Sequence, residues 1–213
     1  MKISDIQVTP IHPERWGNDL DVVNAARVSF HKEALVFEEK DAKLINYLAM
    51  HKHFSPFNHS FIRVRVKAPI FVARQLVKHK FMPWNEVSRR YVDEEPEFYI
   101  PQVRVKADNV KQGSGGDHPE YEFLEDEIKD ICFNTLASYD FLLRKNVAPE
   151  IARAVLPQNM MTEWIWSGTL GAWCDMLRLR LDPHTQYESR IVAQKARALI
   201  EPIFPVSVKA LLD

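Results

Sequence analysis

At 213 residues, with 46% hydrophobic and 27% charged side chains, the chain is long enough to bury a substantial core as one domain, 1–213. A formal net charge of −1 gives the whole molecule no bias toward polyanions, so any anion site must be built locally. Cys132 and Cys174 are too few and too scattered for a disulfide framework or a cysteine-based zinc site, and fit a reducing compartment. The N-terminal stretch MKISDIQVTPIHPERW has no apolar signal core, and no run approaches the ~18 apolar residues of a membrane span. The expectation is a soluble cytoplasmic protein.

In chain order, the apolar spacing predicts a helix over Asp19 to Ser29 and a second over Glu38 to His51, with Leu44, Ile45 and Leu48 facing inward. Ser60 to Lys67 alternates: Ile62, Val64 and Val66 point one way and Arg63, Arg65 and Lys67 the other. That is the period of a half-buried antiparallel strand. Pro69 can open the next helix, since its missing N–H costs nothing in a first turn. On that helix Gln75, Lys78 and His79 share a face, and Pro83 ends it, leaving Phe81 to Asn85 as a turn. KQGSGGDHP, Lys111 to Pro119, carries three of the six glycines and reads as a mobile loop. A long helix follows from Pro119 to Lys145 with the stripe Leu124, Ile128, Ile131, Tyr139 and Leu142. A short helix carries Ile151, Arg153 and Val155; Asn159 to Ser167 reads as a strand. Helices over Leu170 to Leu181 and His184 to Ile200 complete an α+β domain, an antiparallel sheet packed against several helices.

Arg74 to Tyr91, RQLVKHKFMPWNEVSRRY, is the richest segment. Arg74, Lys78, Lys80, Arg89 and Arg90 alternate with polar groups, and Phe81, Met82, Trp84 and Tyr91 offer flat apolar surface. Cationic donors beside such walls suit a ligand that is part phosphate and part heteroaromatic ring. The plain alternative is a solvated basic helix end.

This segment resembles the signature of flavin-dependent thymidylate synthases, R-H-R-x7-S-x-R, in Lys78, His79, Lys80, Ser88 and Arg90. AARVSF (Ala25 to Phe30), HKHFSPFNH (His51 to His59), VKAPIFVARQ (Val66 to Gln75), EFYIP (Glu97 to Pro101), ARAVLPQN (Ala152 to Asn159) and LRLDPHTQYE (Leu179 to Glu188) extend the resemblance in the family's order. It departs from the family pattern in three places. Both arginines beside the histidine are lysines, which keep the charge but lose the planar fork. Pro83 stands where a serine is usual, and Thr169-Leu170-Gly171 lacks the Asn-x-Arg of many members.

The resemblance implies conversion of dUMP to dTMP, with methylenetetrahydrofolate as one-carbon donor, FAD as cofactor and NADPH as reductant. It also implies a homotetramer with shared sites, while the residues themselves give no expectation of a nucleic-acid or membrane partner or of a metal. It places His53 near the isoalloxazine, with Ser55 and Asn58 on the flavin and folate side. Lys78, His79, Lys80, Phe81, Asn85, Glu86 and His184 would hold FAD. Gln75, Glu86, Ser88, Arg89, Arg90, Arg153 and Arg180 would hold the nucleotide. Arg90, Arg180 and His53 stand closest to the chemistry. A positioned cation stabilises charge pushed onto the pyrimidine carbonyl oxygens. Ser88 has no sequence-adjacent base and reads as a contact rather than a nucleophile.

Plainer readings stand beside these. His51, His53 and His59 mimic a zinc set but lack an acidic neighbour. Glu86 can pair with Arg89 or Arg90, Arg63 and Arg65 can form a solvated or subunit-contact face, and Trp164 and Trp166 suit a core or interface. Two rival functions remain: a divergent relative acting on another pyrimidine nucleotide or delivering hydroxymethyl, and a non-catalytic nucleotide- or RNA-binding protein.

Overall fold

A computed structural model describes residues 1–92, 94–108 and 113–213. Lys111 and Gln112 of the expected glycine loop lie outside the described residues.

The centre is a pair of nine-residue strands, β3 (Phe61–Pro69) and β6 (Met161–Thr169), antiparallel along their whole length from Phe61↔Thr169 to Pro69↔Met161. β2 (Gln7–Pro10) pairs with the outer edge of β3 and β4 (Trp84–Glu86) with that of β6, giving the order β2-β3-β6-β4. A separate parallel pair joins β1 (Lys2–Ile3) to β5 (Glu97–Phe98).

The alternation expected for β3 holds. Ile62, Val64 and Val66 are fully buried and lie opposite Gly168, Trp166 and Trp164. On the reverse face Arg65 Nη1 meets Glu163 Oε1 at 2.5 Å, across one rung from its own register partner Ile165. Tryptophans cluster on the apolar face: Trp84 stacks on Trp164 at 4.2 Å, and Trp166 lies tilted against Trp173 at 4.9 Å, centroid to centroid. Such pairs add about 0.5–1.5 kcal/mol each beyond their buried area. Trp164 and Trp166 are core residues, as their plainer reading had it.

Each long strand runs straight into a helix. Pro69 caps α3 (Ile70–Leu76), and the Thr169 hydroxyl accepts from Ala172 N at 3.2 Å to cap α6 (Leu170–Arg180). Because the strands are antiparallel, the two helices leave opposite ends of the sheet. α7 (Tyr187–Ile200) packs against α3, α6, β2 and β3. Behind them lie α1 (Asp19–Arg27), α2 (Glu39–Met50) and α8 (Pro205–Leu212). The buried Asp19 carboxylate accepts from Val206 N at 2.8 Å and Ser207 N at 3.0 Å, tying the start of α1 to the start of α8. A satellite core joins α4 (Tyr121–Arg144) and α5 (Pro149–Ala152) through Cys132, Leu136, Tyr139, Ala152, Phe98 and Met160.

Four expectations need correction. α3 stops at Leu76, so Lys78 and His79 lie beyond the helix that was to carry them, and Trp84 to Glu86 is an edge strand rather than a turn. The inward stripe of α4 runs through Ile128, Cys132 and Leu136, leaving Ile131 54% exposed. The helix expected from His184 starts at Tyr187, because Gln186 is its N-cap. β2 and α8 were not anticipated.

Candidate active site

Two clefts open beside the ends of these helices. The first, about 600 Å3, is lined by Gln75 from α3, Arg178 and Arg180 from α6, and His184 and Gln186 from the segment entering α7. Arg180 is its central cation. Its Nε donates to His79 Nε2 at 2.9 Å and its Nη2 to the Gln75 carbonyl at 3.4 Å. Burial lowers the pKa of Arg180 from its ordinary value. His79 is pushed down to about 4, chiefly by burial and then by the Arg180 charge. The imidazole is therefore neutral near pH 7 with Nε2 as its acceptor, which leaves the proton on Nδ1. At the rim, Asp182 Oδ1 accepts from His184 N at 2.7 Å and lies 3.0 Å from His184 Nδ1.

The second cleft, about 620 Å3, is lined by Glu86, Arg89 and Arg153 together with Lys67, Glu97 and Glu150. Glu86 does not pair with Arg89 or Arg90. It accepts from Trp84 Nε1 at 2.9 Å and from Thr162 Oγ1 at 2.7 Å, so its carboxylate is fixed at the edge of the tryptophan face. Arg89 donates to the Glu94 carbonyl, and Arg153 Nε to the Glu150 carbonyl at 3.3 Å. Arg90 is half exposed; its Nε lies 3.4 Å from Glu150 and its guanidinium 5.5 Å from the Tyr91 ring centroid. The Ser88 hydroxyl accepts from Arg90 N at 3.3 Å.

A third, more apolar cleft of about 410 Å3 touches the first at Arg178 and is lined by Phe54, Asn58, Phe81, Thr169 and Gly171. Thr169 Oγ1 donates to Asn58 Oδ1 at 2.7 Å. A Cβ on Gly171 would stand 2.5 Å from that same oxygen. Phe81, 87% exposed, adopts φ 61°, a backbone that a bulky residue rarely takes.

The structure thus brings Gln75, His79, Arg180 and His184 together, and Glu86, Arg89 and Arg153 together with Arg90 at the rim. Asn58 and Phe81 share the third cleft. His53, Ser55, Lys78, Lys80 and Asn85 lie exposed on the surface. Tyr47 packs edge-on to His53 at 6.1 Å between ring centroids. Neither Lys78 nor Lys80 has an ion-pair partner among the described residues. Among the described residues no three His, Cys, Asp or Glu side chains are grouped to hold a metal. Both cysteines are buried, and burial pushes the Cys174 thiol up to about 12 and Cys132 upward.

Sequence reasoning missed Arg178, which lines two clefts, and Gln186, Glu188 and Arg104 around Gln75. Gln186 and Glu188 belong to the LRLDPHTQYE stretch, and Arg104 carried no local signal.

Residues 14–206 match the family described as thymidylate synthase complementing protein. A flavin-dependent thymidylate synthase of Kosmotoga olearia is 38% identical over 94% of this chain and 88% of its own length. That of Thermus thermophilus is 41% identical over 88% of this chain and 68% of its own. Among solved structures, a UMP/dUMP methylase PolB from Streptomyces cacaoi bound with 5-Br dUMP superposes with a TM-score of 0.89 at 30% identity, over 99% of this chain and 96% of that one. The chain belongs to the flavin-dependent thymidylate synthase family.

Proposed function

We propose that this protein, acting as one domain over 1–213, converts dUMP to dTMP. Methylenetetrahydrofolate is the one-carbon donor, FAD the cofactor and NADPH the reductant. The observation that carries the reading is the cationic junction at Arg180, where a partly buried guanidinium, a neutral His79 and the Gln75 backbone carbonyl meet between the cationic segment and an apolar cleft.

The residues present fit a flavin dinucleotide. Gly171 leaves open a cradle that a Cβ would fill, Phe54 and Phe81 offer flat apolar walls, and Asn58 and Thr169 supply polar edges. Lys78 and Lys80, without ion-pair partners among the described residues, suit a pyrophosphate. When bound, the flavin supplies the redox chemistry, replenished by NADPH.

The chain's own side chains do the rest. Ser88, Arg89, Arg90 and Arg153 hold the nucleotide phosphate. Arg180, partly buried, stabilises negative charge on a ring carbonyl oxygen as the pyrimidine carbon becomes nucleophilic. His79, neutral and locked by Arg180, accepts without competing for charge. The raised thiol pKa values keep both cysteines protonated near pH 7, in line with a route that uses no cysteine nucleophile.

On one chain the first two clefts share no lining residue among the described residues, which suits a site completed by a second subunit. Phe30, Leu35, Met50 and Phe81 are each more than 70% exposed, which suits subunit contacts. We read the assembly as a homotetramer with shared sites. No helix among the described residues is long and apolar enough to cross a membrane, and a cytoplasmic location fits the chemistry.

A second reading has one specific support: the Streptomyces cacaoi methylase was also solved with 5-Br UMP, at 28% identity and a TM-score of 0.88. A ribonucleotide substrate is therefore the alternative. Incubation with methylenetetrahydrofolate, FAD and NADPH, with dUMP and UMP in separate arms, tests both by the mass of the product. Methylated dUMP is expected; methylated UMP alone supports the alternative, and no product from either contradicts the proposal.

A further inference from the structure

A buried ion pair behind the first cleft sets the hydrogen-bonding polarity of Gln75. Arg104 Nη2 donates to Glu188 Oε1 at 2.7 Å, and Glu188 is 1% exposed. Arg104 is itself held, its Nε donating to Ser114 Oγ at 2.6 Å and its guanidinium lying 4.7 Å from the Tyr187 ring centroid. A carboxylate can only accept. Gln186 must therefore turn its Nε2 to Glu188, at 3.2 Å, which points its Oε1 at Gln75. Gln75 answers with Nε2, and its Oε1 receives the hydroxyl of Ser189 at 3.1 Å. Ser189 is fully buried on α7 and lines none of the three clefts.

We infer that Glu188 and Ser189 are positioning residues, which lock the Gln75 amide with one N–H left to meet an acceptor oxygen of the nucleotide. The reasoning is a count of valences. An amide has two N–H groups and two acceptor lone pairs. In Gln75 one N–H goes to Gln186 and one lone pair of Oε1 accepts from Ser189, so among the described residues one N–H and one lone pair stay open, and of these only the N–H can bond an acceptor oxygen. Gln186, polarised by Glu188, sets the direction of the amide, and the Ser189 hydroxyl holds it in place; with that hold weakened the amide can turn over and present its oxygen to another oxygen, which repels. The inference rests on the nucleotide reading above and deepens it, since it assigns an acceptor oxygen, carbonyl or phosphate, to that position.

Calorimetric titration of the purified flavoprotein with dUMP tests it, using Ser189→Ala and Glu188→Gln alone and each combined with Gln75→Ala. Ser189→Ala, a mild change in a helix, keeps the test open if Glu188→Gln disturbs the fold. Each single variant should weaken dUMP roughly 3- to 10-fold, a typical span for one compromised hydrogen bond. Flavin affinity should be unchanged. In the Gln75→Ala background the same substitutions should add less than about twofold, because the group they orient is gone. Unaltered dUMP affinity in Ser189→Ala, or an undiminished loss in the Gln75→Ala background, would overturn the relay while leaving the nucleotide reading standing. Failure of the unaltered protein to bind dUMP would overturn both.

Discussion

Arg180 Nε donates to His79 Nε2 across 2.9 Å, joining the last residue of α6 to the segment that follows α3. That bond makes His79 an acceptor at Nε2, and burial with the adjacent cation pushes its pKa from 6.5 to about 4. The folded protein therefore holds this proton less tightly than the unfolded chain. Stability that depends on neutral His79 is intact above pH 6.5, falls as pH drops toward about 4, and levels off below that. A nitrogen-15 NMR titration should find the Nδ1–H tautomer and no protonation before about pH 4. In Arg180→Met the pKa should rise yet stay below 6.5, because burial, the larger cause, remains.

Arg90 is half exposed, with Glu150 at 3.4 Å as its ion-pair partner. Arg90→Ala should change stability by no more than about 0.5 kcal/mol, as surface substitutions do. If Arg90 meets the nucleotide as it reacts, dTMP formation should fall roughly a hundredfold or more. Unchanged turnover would remove Arg90 from the chemistry.

Gly171 sits in the first turn of α6, where alanine should gain roughly 0.5–1 kcal/mol of helix stability. The added Cβ would stand 2.5 Å from Asn58 Oδ1 and push that side chain off Thr169. Gly171→Ala should thus keep or raise the melting temperature while weakening flavin, read by fluorescence titration. Equal flavin affinity would mean this cradle is not the flavin's.

Lysines at 78 and 80 offer charge without the two-pronged guanidinium fork. The double change Lys78→Arg with Lys80→Arg should tighten flavin several-fold in the same titration. No change would say that the chain holds the pyrophosphate with other groups.

Much of this was legible from residues alone, for reasons that can be named. β3 alternates because one face meets the tryptophans and the other meets Glu163 and solvent. α2 is closed by a reciprocal Glu38–Asp41 cap, and its apolar spacing showed. The end of α3 did not show, because Pro83 is the first breaker in the sequence while the chain turns at Val77. β4 exists only through its pairing with β6, a contact 80 residues away in register that local pattern cannot carry (Trp84↔Trp166 is 82 apart, Glu86↔Trp164 is 78). On α4, Ile131 and Cys132 are neighbours, and only the satellite core decides which one faces in. At the site, the cationic segment was visible in sequence. Its division among separate clefts, and the partners that fix Glu86 and Gln75, depend on residues brought from β6 and α7.

A crystal of the assembled protein soaked with FAD and dUMP tests the central claim most directly. The expected result is the isoalloxazine ring against the Asn58 and Gly171 cleft, the uracil beside Arg180, and the nucleotide phosphate met by Ser88 and Arg90. Clefts filled by the protein's own side chains, with neither ligand bound at saturating concentration, would contradict it.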